Sequence, residues 1–174
     1  MKNSVKITSG KFRGREILTP GGGTHPMGER ERLAVFNMIA EILPGARVLD
    51  AYAGSGALGI EALSRGAQAC DFIEKNTEAA RIIRDTLARL GLTDTTTVIK
   101  SSVADFETEG NFDAIIADPP YDHFNSIEVE RLAKYLKSGG TMVVSCPNDN
   151  IEISGLQLEK SRRYARAHIL IFTK

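Results

Sequence analysis

Four places in this chain pair reactive or ligand-binding residue types with the end of a short apolar run. They are Asp50 with Gly54-Ser55-Gly56, Glu74, Ser102-Val103, and Asp118-Pro119-Pro120-Tyr121. The stretch RVLDAYAGSGALG, from Arg47 to Gly59, reads as a strand that breaks into glycines and restarts as a helix. Glycine tolerates positive φ and lets a ligand approach the backbone, and a helix N-terminus offers unpaired N–H groups. An adenosine-bearing molecule suits such a cradle. Gly54, Gly56 and Gly59 also satisfy GxGxxG, with Glu74 near the spacing of a ribose-binding acid in NAD proteins. Two features favour S-adenosylmethionine instead. Asp50 on the strand would repel a pyrophosphate but attract an amino group, and a dehydrogenase has no use for Asp118-Pro119-Pro120-Tyr121.

That last loop has its own chemistry. An exocyclic base amine is a poor nucleophile, because its lone pair is delocalised into the ring. The Asp118 carboxylate and the Pro119 carbonyl could accept its two N–H bonds, and the paired prolines stiffen the loop without competing donors. Tyr121 could stack on the base. The gain is positioning and charge placement at nitrogen rather than strong-base catalysis. Glu74 has oxygens enough to accept both ribose hydroxyls. The Val103 N–H and the Ser102 side chain are placed to read an adenine edge, with Ala104-Asp105 as the neighbouring register. Phe72 or Ile73 would pack on the adenine face, or serve as core.

The elements that must hold these residues follow from periodicity. Val5 to Leu18 reads as a β-hairpin turning at Gly10 to Gly14, and Pro20 to Pro26 as loop. Glu29 to Ile42 has helix spacing, with Leu33, Phe36, Ile39 or Ala40, and Leu43 on one stripe. Strands are expected at Arg47–Ala51, Ala69–Glu74, Thr96–Lys100, Phe112–Ala117 and Gly140–Cys146. Helices are expected over residues 57–65, 77–90 and 127–136, the last burying Ile127, Leu132 and Leu136, with a helical turn at 102–106. Two extended runs, Leu156–Tyr164 and Ala167–Phe172, are joined too closely to be parallel. The result is an α/β chain: a Rossmann-like, seven-stranded, mostly parallel sheet ending in an antiparallel hairpin. All four candidate groups fall at the carboxyl ends of consecutive strands, where open sheets bind ligands.

Bulk properties narrow the rest. The chain has 174 residues, 42% hydrophobic and 25% charged, as in one ordinary globular domain. Its apolar runs are too short to span a bilayer and its first ten residues lack a signal-peptide core, so the cytoplasm is the default expectation. Cys70, Cys146 and the three histidines lack metal-ligand spacing, and no metal is expected. Formal net charge is zero, yet residues 1–33 carry seven basic side chains against three acidic ones. A basic face is one reading and a solvated tail the other.

With the motifs quoted, the chain resembles the bacterial 16S ribosomal RNA (guanine-N2)-methyltransferases, a branch of the class I S-adenosylmethionine-dependent enzymes. The resemblance rests on ITSGKFRGREILTP, ERERLAVFNMI, LDAYAGSGALGIEALSRGA, FIEK and the DPPY loop, and covers nearly the whole length. It implies the class I methyltransferase fold. It implies cofactor contacts from Asp50, Ala51, Gly54, Ser55, Gly56, Glu74, Lys75, Ser102, Val103 and Asp118, and catalysis by Asp118, Pro119 and Tyr121. It further implies an N-terminal arm, residues 1–26, contacting RNA through Lys11, Arg13 and Arg15, ahead of a methyltransferase domain at 27–174. The expected partner is ribosomal RNA or the small-subunit particle, with a monomeric enzyme and no membrane. Two departures stand out: His25-Pro26-Met27 replaces the family's Arg-Pro-Thr, and the link from Tyr121 to Gly139 is short. The alternatives are an adenine-N6 methyltransferase on DNA or RNA, a non-catalytic nucleotide-binding module, and the NAD enzyme.

Overall fold

The structure is a computed structural model and describes residues 4–21, 27–164 and 167–174. The hairpin strands are β1 (Ser4–Lys6) and β2 (Glu16–Leu18), paired antiparallel. Then come α1 (Glu29–Met38), β3 (Arg47–Asp50), α2 (Ala57–Ser64), β4 (Ala69–Ile73), α3 (Thr77–Leu90) and β5 (Thr96–Ile99). β6 (Phe112–Ala117), α4 (Ser126–Arg131), β7 (Leu136–Cys146), β8 (Gln157–Tyr164) and β9 (Ala167–Thr173) complete the order.

Seven strands form one sheet in the order β5-β4-β3-β6-β7-β9-β8. β5 through β7 are mutually parallel, whereas β9 runs antiparallel to both β7 and β8. Strand order reverses between β3 and β6, the point at which such sheets open a ligand crevice. Alternation along the strands sends residues to two apolar layers. Val48, Phe72, Ile116 and Val143 meet α1, α2 and α3 on one side; Leu49, Ile73, Ile115 and Val144 meet Val129 and Leu132 on the other.

α3 shows why local sequence makes these elements. The Asn76 side chain caps it by accepting the Ala79 N–H, its Ala80, Ile83 and Leu87 are buried, and Gly91 ends it at φ 67°. The N-terminal hairpin is fastened on α2 rather than hanging free. Ile7, Phe12 and Ile17 lie in the first apolar layer, and the backbone of Lys11 donates to the Ser64 carbonyl at 2.8 Å. Gly10 must be glycine: it has φ 80°, and a Cβ there would stand 1.8 Å from the Ser64 oxygen.

Several expectations change. The helix from Glu29 stops at Met38, and Leu33 is 40% exposed while Arg32 is 1% exposed. Arg32 enters the core because Glu61 neutralises its charge and the Met27 and Lys6 carbonyls accept from its two terminal nitrogens, while among the described residues its Nε keeps only the ion pair. Residues 102–106 make a turn without a helix. The helix expected over 127–136 ends at Arg131 and tightens into a 3₁₀ turn, leaving Ile127 68% exposed. β7 begins at Leu136, four residues before its expected start. His25 and Pro26 lie outside the described residues, while Met27 is buried.

Candidate active site

The crevice is built from the carboxyl ends of β3, β4, β5 and β6. Asp50 closes β3 and is fully buried; its Oδ2 accepts the Gly59 N–H at 2.9 Å. Among the described residues its Oδ1 has no hydrogen-bond partner. A buried carboxylate oxygen left unpaired is costly, so this atom is open to a further hydrogen-bond donor. Burial, with the Asp118 and Glu74 carboxylates adding to it, pushes Asp50 up to about 7 against the Gly59 bond.

After Ala51, Gly54 takes φ 54° and Gly56 takes φ 78° as the cap of α2, with Ser55 buried between them. Around Gly54 only the Tyr52 carbonyl comes within 4.0 Å of an added Cβ, so here glycine answers a backbone need. Gly59 answers a different one. A Cβ there would lie 2.3 Å from the Phe72 ring, so α2 rests directly on β4. Phe72 therefore lies beneath the helix, and Ile73 belongs to the opposite apolar layer.

Glu74 follows β4 and ties the loops together. Its Oε2 accepts the Gly54 N–H at 2.8 Å and its Oε1 accepts the Asn76 N–H at 2.7 Å. Each oxygen keeps a further lone pair. Lys75 beside it is exposed. Beyond β5 the Ser102 hydroxyl donates to Asp105 at 2.6 Å, and Val103 is buried. The Ser102 side chain is thus engaged within its own turn.

Asp118 stands one residue past the end of β6, half-buried, with Pro119 buried and Tyr121 37% exposed. Burial pushes Asp118 up to about 6; Ser145 opposes that by hydrogen bonding, and the Glu31 carboxylate of α1 adds to it. The Tyr121 hydroxyl lies 2.6 Å from Ser145 Oγ, and burial pushes its phenol up to about 12. Ser145 carries no signal in the sequence, since a serine near a strand end belongs to no motif. Tyr52 is equally silent in the sequence; it is half-buried, and burial with the Glu128 carboxylate beside it holds its phenol well above the usual value. Only pairing register could have found Ser145.

The strands therefore bring Asp50, Ala51, Gly54, Ser55, Gly56, Glu74, Ser102, Val103, Asp118, Pro119 and Tyr121 to one edge. Lys11, Arg13 and Arg15 are exposed and sit elsewhere, on the hairpin turn. Lys11 touches the last residue of α2, a helix rise of about 10 Å from the glycine loop. Among the described residues, no group of three or more His, Cys, Asp or Glu could hold a metal ion.

The sequence family described as Conserved hypothetical protein 95 matches residues 5–173. The chain belongs to that family. Its relatives include Bacillus subtilis YlbH, 36% identical over 123 residues and covered over 67% of each chain. They also include the ribosomal RNA small subunit methyltransferase D of Haemophilus influenzae, 35% identical over 133 residues, 73% of this chain and 68% of that one. The solved Escherichia coli yhhF structure superposes with a TM-score of 0.87 at 26% identity, covering 98% of this chain and 97% of the other. Family and topology together give the Rossmann-like methyltransferase fold, with the small hairpin as its N-terminal extension.

Proposed function

We propose that this protein transfers a methyl group from S-adenosylmethionine to an exocyclic amine of ribosomal RNA, guanine N2 of the small-subunit RNA being the favoured target. The observation that carries the reading is the pairing of two carboxylates across the switch point. Asp50 on β3 keeps an unpartnered buried oxygen, and Asp118, just past the end of the adjacent β6, stands two residues beyond Ile116, the residue opposite Asp50. One acid suits a cationic ligand and the other an amine held beside it.

The residues fit the cofactor. Asp50 Oδ1 would accept from its amino group, Glu74 from its ribose hydroxyls, and Ala51, Gly54, Ser55 and Gly56 would line it. Lys75, Ser102, Val103 and Asp118 complete the proposed contacts. When bound, S-adenosylmethionine supplies an electrophilic methyl on a sulfonium that departs as a neutral thioether. Asp118 and the Pro119 carbonyl hold the two N–H bonds of the amine and orient its lone pair. As nitrogen gains the new N–C bond it becomes positive, and the Asp118 carboxylate stabilises that charge before the proton passes to it or to water. Tyr121 supplies a ring face for the base. The hairpin within residues 1–26 offers Lys11, Arg13 and Arg15 to RNA phosphate, beside a catalytic domain at 27–174.

The test is Asp118→Ala, scored by methyl incorporation into small-subunit RNA and by thermal stabilisation with S-adenosylhomocysteine. Loss of at least a hundredfold in turnover with stabilisation retained is the expected result. Turnover within a few-fold of the parent would overturn the amine-holding role, and stabilisation by NAD alone would overturn the cofactor. Nucleoside analysis of the product distinguishes N2-methylguanosine from N6-methyladenosine.

A further inference from the structure

β8 is the outer strand of the sheet, and its side chains form a cationic rim in a chain of zero net charge. Lys160, Arg162 and Arg163 are all exposed. Four other exposed cations near the sheet are neutralised: Arg47 by Asp71, Arg131 and Lys134 by Glu107, and Lys137 by Asp113. Among the described residues, Lys160, Arg162 and Arg163 pair with no carboxylate. The one acid of the strand, Glu159, falls where the pairing register slips between Leu158 and Lys160.

Register ties this rim to the crevice. Arg162 pairs with Ile169, and Ile169 pairs with Ser145. Ser145 and Asp118 each lie one residue beyond the Val144–Ala117 pair. Paired residues project to the same face, so Arg162, Ser145 and Asp118 share a level and a side of the sheet. Three strand spacings separate Arg162 from Asp118, about 14 Å. Lys160, two residues back, shares that face, and Arg163 points to the other, straddling the edge.

We propose that the β8 edge is an RNA-binding surface, with Lys160, Arg162 and Arg163 gripping the phosphates of the strand whose base enters the crevice at Asp118. Arg162 donates one bond to the Ser161 carbonyl at 3.1 Å and keeps its other donors, and phosphate is the occupant that such unneutralised guanidinium and ammonium groups fit best, with no base to be read there. The surface lies level with the crevice, whereas the hairpin cations lie away from it, so β8 would govern delivery of the target base. The proposal rests on the methyl-transfer reading above.

The triple variant Lys160→Gln/Arg162→Gln/Arg163→Gln tests it, because these exposed side chains can change without disturbing the fold. Binding of a small-subunit RNA fragment is measured across a salt series, with methyl incorporation followed in parallel. The expected result is a salt slope shallower by about 2, since each phosphate contact on a single strand contributes about 0.7. KM for RNA rises about tenfold or more, while kcat at saturating RNA and stabilisation by S-adenosylhomocysteine stay at parental values. An unchanged slope and KM would overturn the proposal and leave the charges as guards against edge pairing. A parent protein that binds RNA with the expected slope but transfers no methyl group would instead overturn the methyl-transfer reading, leaving the surface intact.

Discussion

The Tyr121 hydroxyl stands 2.6 Å from Ser145 Oγ, so the loop after β6 is pinned to the end of β7. Ser145 is 1% exposed, and its hydrogen bonding also holds Asp118 below where burial alone would leave it. One hydroxyl thus pins Tyr121 and favours the ionised form of Asp118, the two groups proposed to handle the base. Ser145→Ala is expected to lower kcat about ten- to a hundredfold, the scale of one lost hydrogen bond to a charged group. It should also move the acidic limb of the kcat–pH profile to higher pH, as Asp118 loses a partner that favours its ionised form. Tyr121→Phe keeps the ring and loses only the hydroxyl, so a few-fold effect is expected. A pH limb unmoved in Ser145→Ala would reduce Ser145 to packing.

Proton linkage predicts an unusual stability profile for the ligand-free protein. Asp50 and Asp118 are pushed up to about 7 and about 6, both above the value near 3.9 of an unfolded aspartate. A raised carboxyl binds its proton more tightly in the folded chain. Its contribution is full below about pH 4 and is lost as pH rises through the folded values. Melting temperature should therefore fall between about pH 5 and pH 8, and Asp50→Asn should flatten most of that fall. S-adenosylhomocysteine, whose amino group would face Asp50, should stabilise the parent most at the alkaline end. A profile identical in parent and Asp50→Asn would show that Asp50 ionises normally.

Much of this was legible because strand ends and glycine breaks are local signals. β6 and α3 fall at their expected bounds, and the residues at the carboxyl ends of β3 to β6 converge as periodicity required. What was hidden depended on tertiary partners. Arg32 reads as a solvent-facing charge until Glu61 is known to lie buried opposite it. Ile127 reads as core, but Val129 is the residue of α4 that faces inward, and Ile127, two positions earlier, lies about 200° round the helix. Ser145 gains meaning only from its register beside Asp118.

Gly59 offers a test that separates packing from ligand binding within the glycine motif. Its absent Cβ would meet Phe72 at 2.3 Å and Cys70 Sγ at 2.7 Å. Gly59→Ala should destabilise the fold by about 1–3 kcal/mol through overpacking. Denaturant unfolding measures it. Phe72→Leu in the same chain should recover part of the loss, a rescue that a purely ligand-facing glycine would not show.

The hairpin's attachment makes the last prediction. Glu61 is fully buried on α2 and accepts the Thr8 N–H at 2.8 Å, the Thr8 hydroxyl at 2.6 Å and the Ser9 N–H at 3.1 Å. Arg65 Nε joins it at 2.9 Å and Arg32 Nε at 3.5 Å. Burial lowers the Arg32 pKa, with Glu61 opposing that shift. Removing the acid strands the cation in the core. Glu61→Ala is thus expected to cost about 3–5 kcal/mol and to expose the hairpin to proteolysis. Arg81→Ala, which breaks the exposed Arg81–Asp85 pair at 3.0 Å, should cost well under 1 kcal/mol. Equal losses in the two variants would mean that the hairpin is held by Ile7, Phe12, Ile17 and its bonds to Ser64, with the buried acid a passenger.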